Sequence, residues 1–236
     1  VVVMQIYNQI PFKLRRSLPK SFAYAEDTIV AQGLVIFQYN CFLQLPHMSD
    51  ATELHQQLIA ILQLGLLGVM VLVPSVYYIP FLKNWQLFYP QLLVICTSLC
   101  LTVIDNQYAI TILWNFVFKD VERSVIVGLY VLFLALAASA VVWQIQKNQK
   151  SSSAIRKIFH ILIVMVYVPG MLYQCKFLFI ASVVILALLI VLELSRVIKL
   201  YPVYDVLEKS VSAFIDEKDA GKVAFTPLYL LAGCSL

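Results

Sequence analysis

Long stretches without a formal charge, broken by short clusters of lysine, arginine, aspartate and glutamate, set the pattern of this chain. A bilayer core takes about 20 apolar residues in a helix. Residues 56–82, 84–104 and 124–146 run charge-free over such a length and are predicted as membrane-spanning helices. Residues 158–175 and 177–192 are shorter, but flanking lysine and arginine heads can snorkel to the interface and lengthen them. Residues 106–118 fit either a short span or a re-entrant piece. Residues 28–49 also lack charge, yet Gln32, Gln38, Asn40, Gln44 and His47 make them polar for lipid, so a bundle-interior or an interfacial helix is expected. A further apolar run opens after Lys222. The expected fold class is all-α: a polytopic integral membrane protein of about six to eight transmembrane helices. One amphipathic helix on the cytosolic face completes it, with Tyr204, Leu207, Val211 and Phe214 in a single apolar stripe.

Composition supports this and removes the alternatives. Hydrophobic residues make up 61% of the 236 and charged residues 13%, too little polar surface to cover a soluble globule. The same apolar content excludes disorder. A net charge of +4 is mild; it fits the positive-inside bias of membrane proteins rather than a nucleic-acid surface, and no nucleic-acid partner is expected. Cys41, Cys96, Cys100, Cys175 and Cys234 form no C-x-x-C pair and read as small helix- or lipid-facing residues. The chain opens Val1-Val2-Val3-Met4 and closes at Leu236 inside an apolar run, so a fragment of a longer protein is expected.

Basic residues set the orientation. The stretch 147–157 holds Lys147, Lys150, Arg156 and Lys157, and 194–222 holds Arg196, Lys199, Lys209, Lys218 and Lys222. The opposing loops contribute Lys119, Arg123 and Lys176. The richer side is expected to face the cytosol. Gln149-Lys150-Ser151-Ser152-Ser153 is the one linker-like stretch; it divides the chain into N-terminal helices, 1–150, and a second membrane part, 151–236.

Three charged clusters after residue 155 can carry chemistry. In Arg156-Lys157-Ile158-Phe159-His160, Arg156 and His160 share a helix face one turn apart. Cations are badly placed at a helix N-terminus, so either something negative completes the group or Arg156 and Lys157 are membrane anchors beside a satisfied histidine. Glu193 and Arg196, at i,i+3, can pair where a span leaves lipid. In Asp216-Glu217-Lys218-Asp219-Ala220-Gly221-Lys222, Asp216 and Asp219 can jointly hold Mg²⁺, and Gly221 permits a close backbone approach; a solvated loop fits the same residues. Cations, a histidine and paired carboxylates at one membrane face are the inventory of phosphoryl transfer. No G-x-x-x-x-G-K-[ST] loop is present.

Arg156-Lys157-x-x-His160 leading into Val168-Pro169-Gly170 resembles the dolichol kinase family of polyprenol kinases. So do Leu192-Glu193-x-x-Arg196 and the stretch Phe214-Ile215-Asp216-Glu217-Lys218-Asp219-Ala220-Gly221, followed by Thr226-Pro227-Leu228-Tyr229-Leu230-Leu231. The likeness covers about 155–236 in order and spacing, with a weaker one around Ala31-Gln32-Gly33-Leu34. The resemblance implies a CTP-dependent lipid kinase of the endoplasmic reticulum membrane. Such an enzyme moves the CTP γ-phosphate to the terminal hydroxyl of dolichol, giving dolichyl phosphate for protein glycosylation. It implies His160, Arg156 and Lys157 as catalytic residues, Glu193, Arg196 and Gly221 at the nucleotide, and Asp216 and Asp219 on the divalent cation. The family's Gly-Asp-rich CTP-binding segment is expected beyond Leu236, which would leave the fragment inactive alone. Two other classes compete: another CTP-using lipid enzyme, such as a phytol kinase or a CDP-diacylglycerol synthase relative, and a transporter. Transporters carry ionisable groups near the bilayer midplane and paired broken helices; here the charges cluster at span ends and no internal repeat is visible.

Overall fold

The computed structural model describes residues 26–44, 53–146 and 153–214. Among the described residues eight α-helices follow one another: α1 (Glu26–Gln44), α2 (Leu54–Tyr78), α3 (Trp85–Leu101), α4 (Ala109–Phe118), α5 (Val121–Gln146), α6 (Ser153–Tyr173), α7 (Cys175–Val197) and α8 (Tyr204–Phe214). A 3₁₀ turn, Pro80–Lys83, joins α2 to α3, and a two-residue hairpin, β1 (Val103–Ile104) and β2 (Gln107–Tyr108), joins α3 to α4. The all-α membrane fold expected from the charge-free runs is what forms. Leu54–Tyr78, Val121–Trp143 and Cys175–Val197 are long and apolar enough to cross a bilayer, and Trp85–Leu101, Ala109–Phe118 and Ile161–Tyr173 are shorter apolar helices.

Two apolar clusters mark the two ends of the bundle. At one end Leu58, Ile61 and Leu62 of α2 meet Ile104, Ala109, Ile112 and Phe116, Ile126 of α5, and Phe177 and Ile180 of α7. At the other, Leu72 and Val76 of α2 meet Phe88 of α3 and Leu200, flanked by Val191 and Leu194 of α7. Residue numbers rise from the first cluster to the second in both α2 and α7, so these helices run parallel. In α3 they fall, from Leu99 at the first to Phe88 at the second, so α3 runs against them. The bundle thus has a Gln174 end, where α6 turns into α7, and a Leu200 end, where α7 stops.

Residues 106–118 form part of a hairpin and a short helix rather than one long helix. Asp105 and Asn106 both adopt positive φ, 49° and 59°, the two-residue turn that matches strand twist. It pairs Val103 with Tyr108 and Ile104 with Gln107. The 10-residue α4 is about 15 Å long, half the bilayer core. It begins and ends at the Gln174 end. Arg123 closes it, donating to the Phe116 carbonyl, pairing with Asp120 at 2.7 Å and lying 4.4 Å from the centre of the Phe116 ring. Among the described residues five helices (α2, α3, α5, α6 and α7) therefore run between the two ends. In α1, Ile36, Tyr39 and Phe42 are exposed while Cys41 is buried.

Without a hydrophobic drive between helices in lipid, close contact and polar links hold the bundle. A Cβ on Gly68 of α2 would stand 2.7 Å from Ile95 of α3, and one on Gly170 of α6 would stand 2.6 Å from the Tyr130 hydroxyl of α5 and 2.9 Å from Leu178 of α7. These glycines are where helices touch. Pro169 removes one donor from the α6 ladder, and in that turn the Tyr130 hydroxyl donates to the Val166 carbonyl at 3.2 Å. Gln91 of α3 donates to Ser75 of α2 at 2.7 Å, beside the helix prolines Pro90 and Pro74.

Candidate site at the Leu200 end

The end of α7 is built by a C-terminal turn that needs a left-handed residue. Lys199 supplies it at φ 58°. The Leu200 amide then reaches back to the Ser195 carbonyl at 2.9 Å and the Lys199 amide to Arg196 at 3.1 Å. This arrangement satisfies the last carbonyls of the helix and throws the next side chain onto it. Leu200 accordingly sits 1% exposed, packed with Leu72, Val76 and Phe88. The Tyr89 hydroxyl donates to the Tyr201 carbonyl at 3.2 Å, fastening the following turn to α3. From that anchored turn α8 starts at Tyr204 and packs against α5 and α7. Its stripe is as expected in the described side chains: Tyr204, Leu207 and Val211 are half-buried, and Asp205 and Lys209 exposed.

The expected Glu193–Arg196 pair is present and closely made. Arg196 Nη2 lies 2.6 Å from Glu193 Oε1, and its Nε lies 3.0 Å from Oε2, a two-pronged bond of the strong kind. Sequence reasoning missed the third member. Arg196 Nη1 donates to Glu208 of α8 at 3.0 Å. The guanidinium is nearly buried, at 9% side-chain exposure, against 13% for Glu193 and 43% for Glu208. The signal for Glu208 was legible: it shares the face of Tyr204 and Val211, one turn from each, and a carboxylate inside an apolar stripe requires a partner. All three guanidinium nitrogens face carboxylates, so as placed Arg196 holds α8 to α7.

The cationic cluster arrives at the same end by another route. Arg156, Lys157 and His160 lie in the first two turns of α6, which doubles back on α7 at Gln174. From that break Arg156 is about 27 Å back along α6, and Glu193 about 28 Å forward along α7. They occupy the same level, with His160 one turn deeper. The backbone places these positions at the same end of the bundle as Arg196; the side chains of Arg156, Lys157 and His160 lie outside the described residues. Asp216, Asp219 and Gly221 also lie outside them, a few residues beyond the end of α8. Among the described residues no three His, Cys, Asp or Glu side chains gather as metal ligands. Donors suited to a hard divalent cation are the carboxylates of Asp216 and Asp219.

Against known proteins, the sequence profile of dolichol kinase matches residues 1–231. The chain belongs to the dolichol kinase family. Human dolichol kinase is 34% identical over 134 residues, which are 53% of this chain and 25% of that protein. Bovine dolichol kinase is 33% identical over 131 residues, 52% of this chain and 24% of that protein. The Arabidopsis thaliana dolichol kinase EVAN is 26% identical over 132 residues, 56% of this chain and 23% of that protein. The match spans about a quarter of the length of these dolichol kinases. No solved structure matches.

Proposed function

We propose that this chain is part of a CTP-dependent dolichol kinase, and that the Leu200 end is its active face. Family membership carries the reading. The bundle supports it by bringing the Arg156-Lys157-x-x-His160 turns, the Glu193–Arg196 pair and the helix leading to Asp216 to one end. A very long isoprenoid alcohol must be met in the bilayer with its hydroxyl at the interface, whereas a nucleotide arrives from water. Lys83, in the turn between α2 and α3, joins the basic residues of this end. That supports a cytosolic orientation in the endoplasmic reticulum membrane.

In the reaction, the dolichol oxygen bonds to the γ-phosphorus of CTP as the β–γ bridging P–O bond breaks, releasing CDP. His160 takes the hydroxyl proton or steadies the phosphate, while Arg156 and Lys157 hold the phosphoryl oxygens. A Mg²⁺ ion on Asp216 and Asp219 would offset the charge of the outer phosphates. Arg196 and Glu193 act on the nucleotide side through α8, which sets where the chain carrying Asp216, Asp219 and Gly221 leaves the membrane surface. The product, dolichyl phosphate, is a substrate for glycosylation chemistry.

The test is CTP-dependent formation of dolichyl phosphate by the full-length parent protein in microsomes, normalised to protein level. His160→Ala should cost about 10²–10⁴-fold if His160 is a general base. Asp219→Asn, which keeps shape and removes charge, should abolish turnover. Lys83→Gln, exposed at the same end, should leave it unchanged. Wild-type turnover in both site variants would place the chemistry elsewhere.

A further inference from the structure

At the opposite end, α2 and α7 begin side by side. Both are long spans running the same way, so their first turns meet where the bilayer gives way to water. Between those turns lies a cavity of about 240 Å³. Leu58, Leu62, Phe179 and Ile180 are among its lining residues, as are His55 and Lys176. Its walls are apolar, and beside the Cys175 thiol its ionisable groups are His55 and Lys176, one a hydrogen-bond donor and one a cation.

Lys176 is out of place by the usual charge rule. It belongs to the end of the bundle poor in basic residues, and no carboxylate among the described residues pairs with it. The acids nearby are directed elsewhere: Asp105 accepts from Gln57, Glu122 from Gln174, and Asp120 from Arg123. Glu53, at the N-cap of α2, makes no capping bond. Neither α2 nor α7 carries an acidic residue in its first turn, and neither is capped by a side chain. Two parallel helix starts add positive partial charge to the same spot.

We propose that this cavity binds one membrane phospholipid with an anionic headgroup, in the leaflet at the Gln174 end. An acyl chain fills the apolar trough between α2 and α7. The headgroup phosphate lies at the mouth against Lys176, with an imidazole N–H of His55 as a second donor. Charge complementarity selects the anionic headgroup over a zwitterionic one, and the apolar lining selects a lipid over a free phosphate. The site is independent of the reaction proposed above, which sits at the far end of the bundle.

The experiment reconstitutes the full chain in phosphatidylcholine bilayers doped with phosphatidylglycerol, then counts retained lipids by native mass spectrometry. One phosphatidylglycerol per chain is expected to be retained in preference to phosphatidylcholine. Lys176→Gln should lower that occupancy roughly fivefold, the usual effect of one basic residue at an anionic surface, and Lys176→Arg should restore it. Ile59→Trp, which fills the trough without touching a charge, should also expel the lipid. Equal retention of phosphatidylcholine, or unchanged binding in Lys176→Gln or Ile59→Trp, would overturn the proposal. So would displacement by inorganic phosphate, or retention of dolichyl phosphate in place of phosphatidylglycerol.

Discussion

Arg196 near the end of α7 and Glu208 in the middle of α8 meet at 3.0 Å, across a chain reversal that Lys199 and Leu200 make possible. That bond, with the Glu193 pair behind it, joins a membrane-spanning helix to the amphipathic one that follows. Glu208→Gln keeps the size and loses the charge. Because Glu208 is 43% exposed, the expected loss is about 1 kcal/mol of docking free energy. Amide hydrogen exchange over 204–214 should speed up about fivefold while α7 stays protected. Unaltered exchange in α8 would mean that the apolar stripe alone holds it.

Removing the arginine is a different matter. Arg196→Leu removes the guanidinium that makes two bonds to the Glu193 carboxylate, 13% exposed, and should cost about 3–5 kcal/mol. The double variant Arg196→Leu with Glu193→Leu should recover most of that, measured as thermal stability in detergent. A double variant no better than the single one would show that the pair is not the unit.

Gly170→Ala tests the three-helix contact. Its methyl group would meet the Tyr130 hydroxyl at 2.6 Å and Leu178 at 2.9 Å, and overpacking of that kind costs about 1–3 kcal/mol. Gly128→Ala in α5 has nothing within 4 Å and should be neutral or stabilising. Equal melting temperatures for the two variants would refute the close approach of α5, α6 and α7.

Lys199→Gly should raise stability by about 0.5–1 kcal/mol, because glycine adopts the left-handed conformation at φ 58° without a Cβ clash. Denaturation of the purified chain would measure it. A loss instead of a gain would mean that the lysine side chain, not the backbone turn, matters there.

Cysteine accessibility tests the fold-back of α4. In a cysteine-free background, Asn106→Cys and Lys119→Cys should react with an impermeant thiol reagent from one side of the membrane, and Lys83→Cys from the other. Labelling of 106 and 119 from opposite sides would turn α4 into a span.

Residues 56–82 were readable because absence of charge over a bilayer's width leaves little else possible, and 177–192 because flanking lysine and arginine can lengthen a shorter run. The Glu193–Arg196 pair was readable because helix geometry alone brings i and i+3 together. Glu208 was not assigned, since its partner lies across a turn whose direction depends on Lys199 taking a conformation that lysine rarely adopts. The path of residues 106–118 stayed open for a related reason: their length fits two topologies, and the choice lies in two consecutive left-handed residues, Asp105 and Asn106. Arg156, Lys157 and His160 could be assigned to a helix start, and the α6–α7 hairpin then puts that start at the same end of the bundle as Glu193. Composition contains no such register.

The half-length of α4 has a consequence for bookkeeping across the bilayer. A sixth full crossing would have returned the chain to the compartment from which α2 sets out. With α4 folded back, the helices running between the two ends from Leu54 to Val197 are odd in number among the described residues, so Glu53 and Tyr201 stand at opposite ends of the bundle. Replacing α4 by a helix long enough to traverse would invert everything from α5 onward. The amphipathic α8 would then be presented to the wrong compartment with every local contact of its sequence still intact.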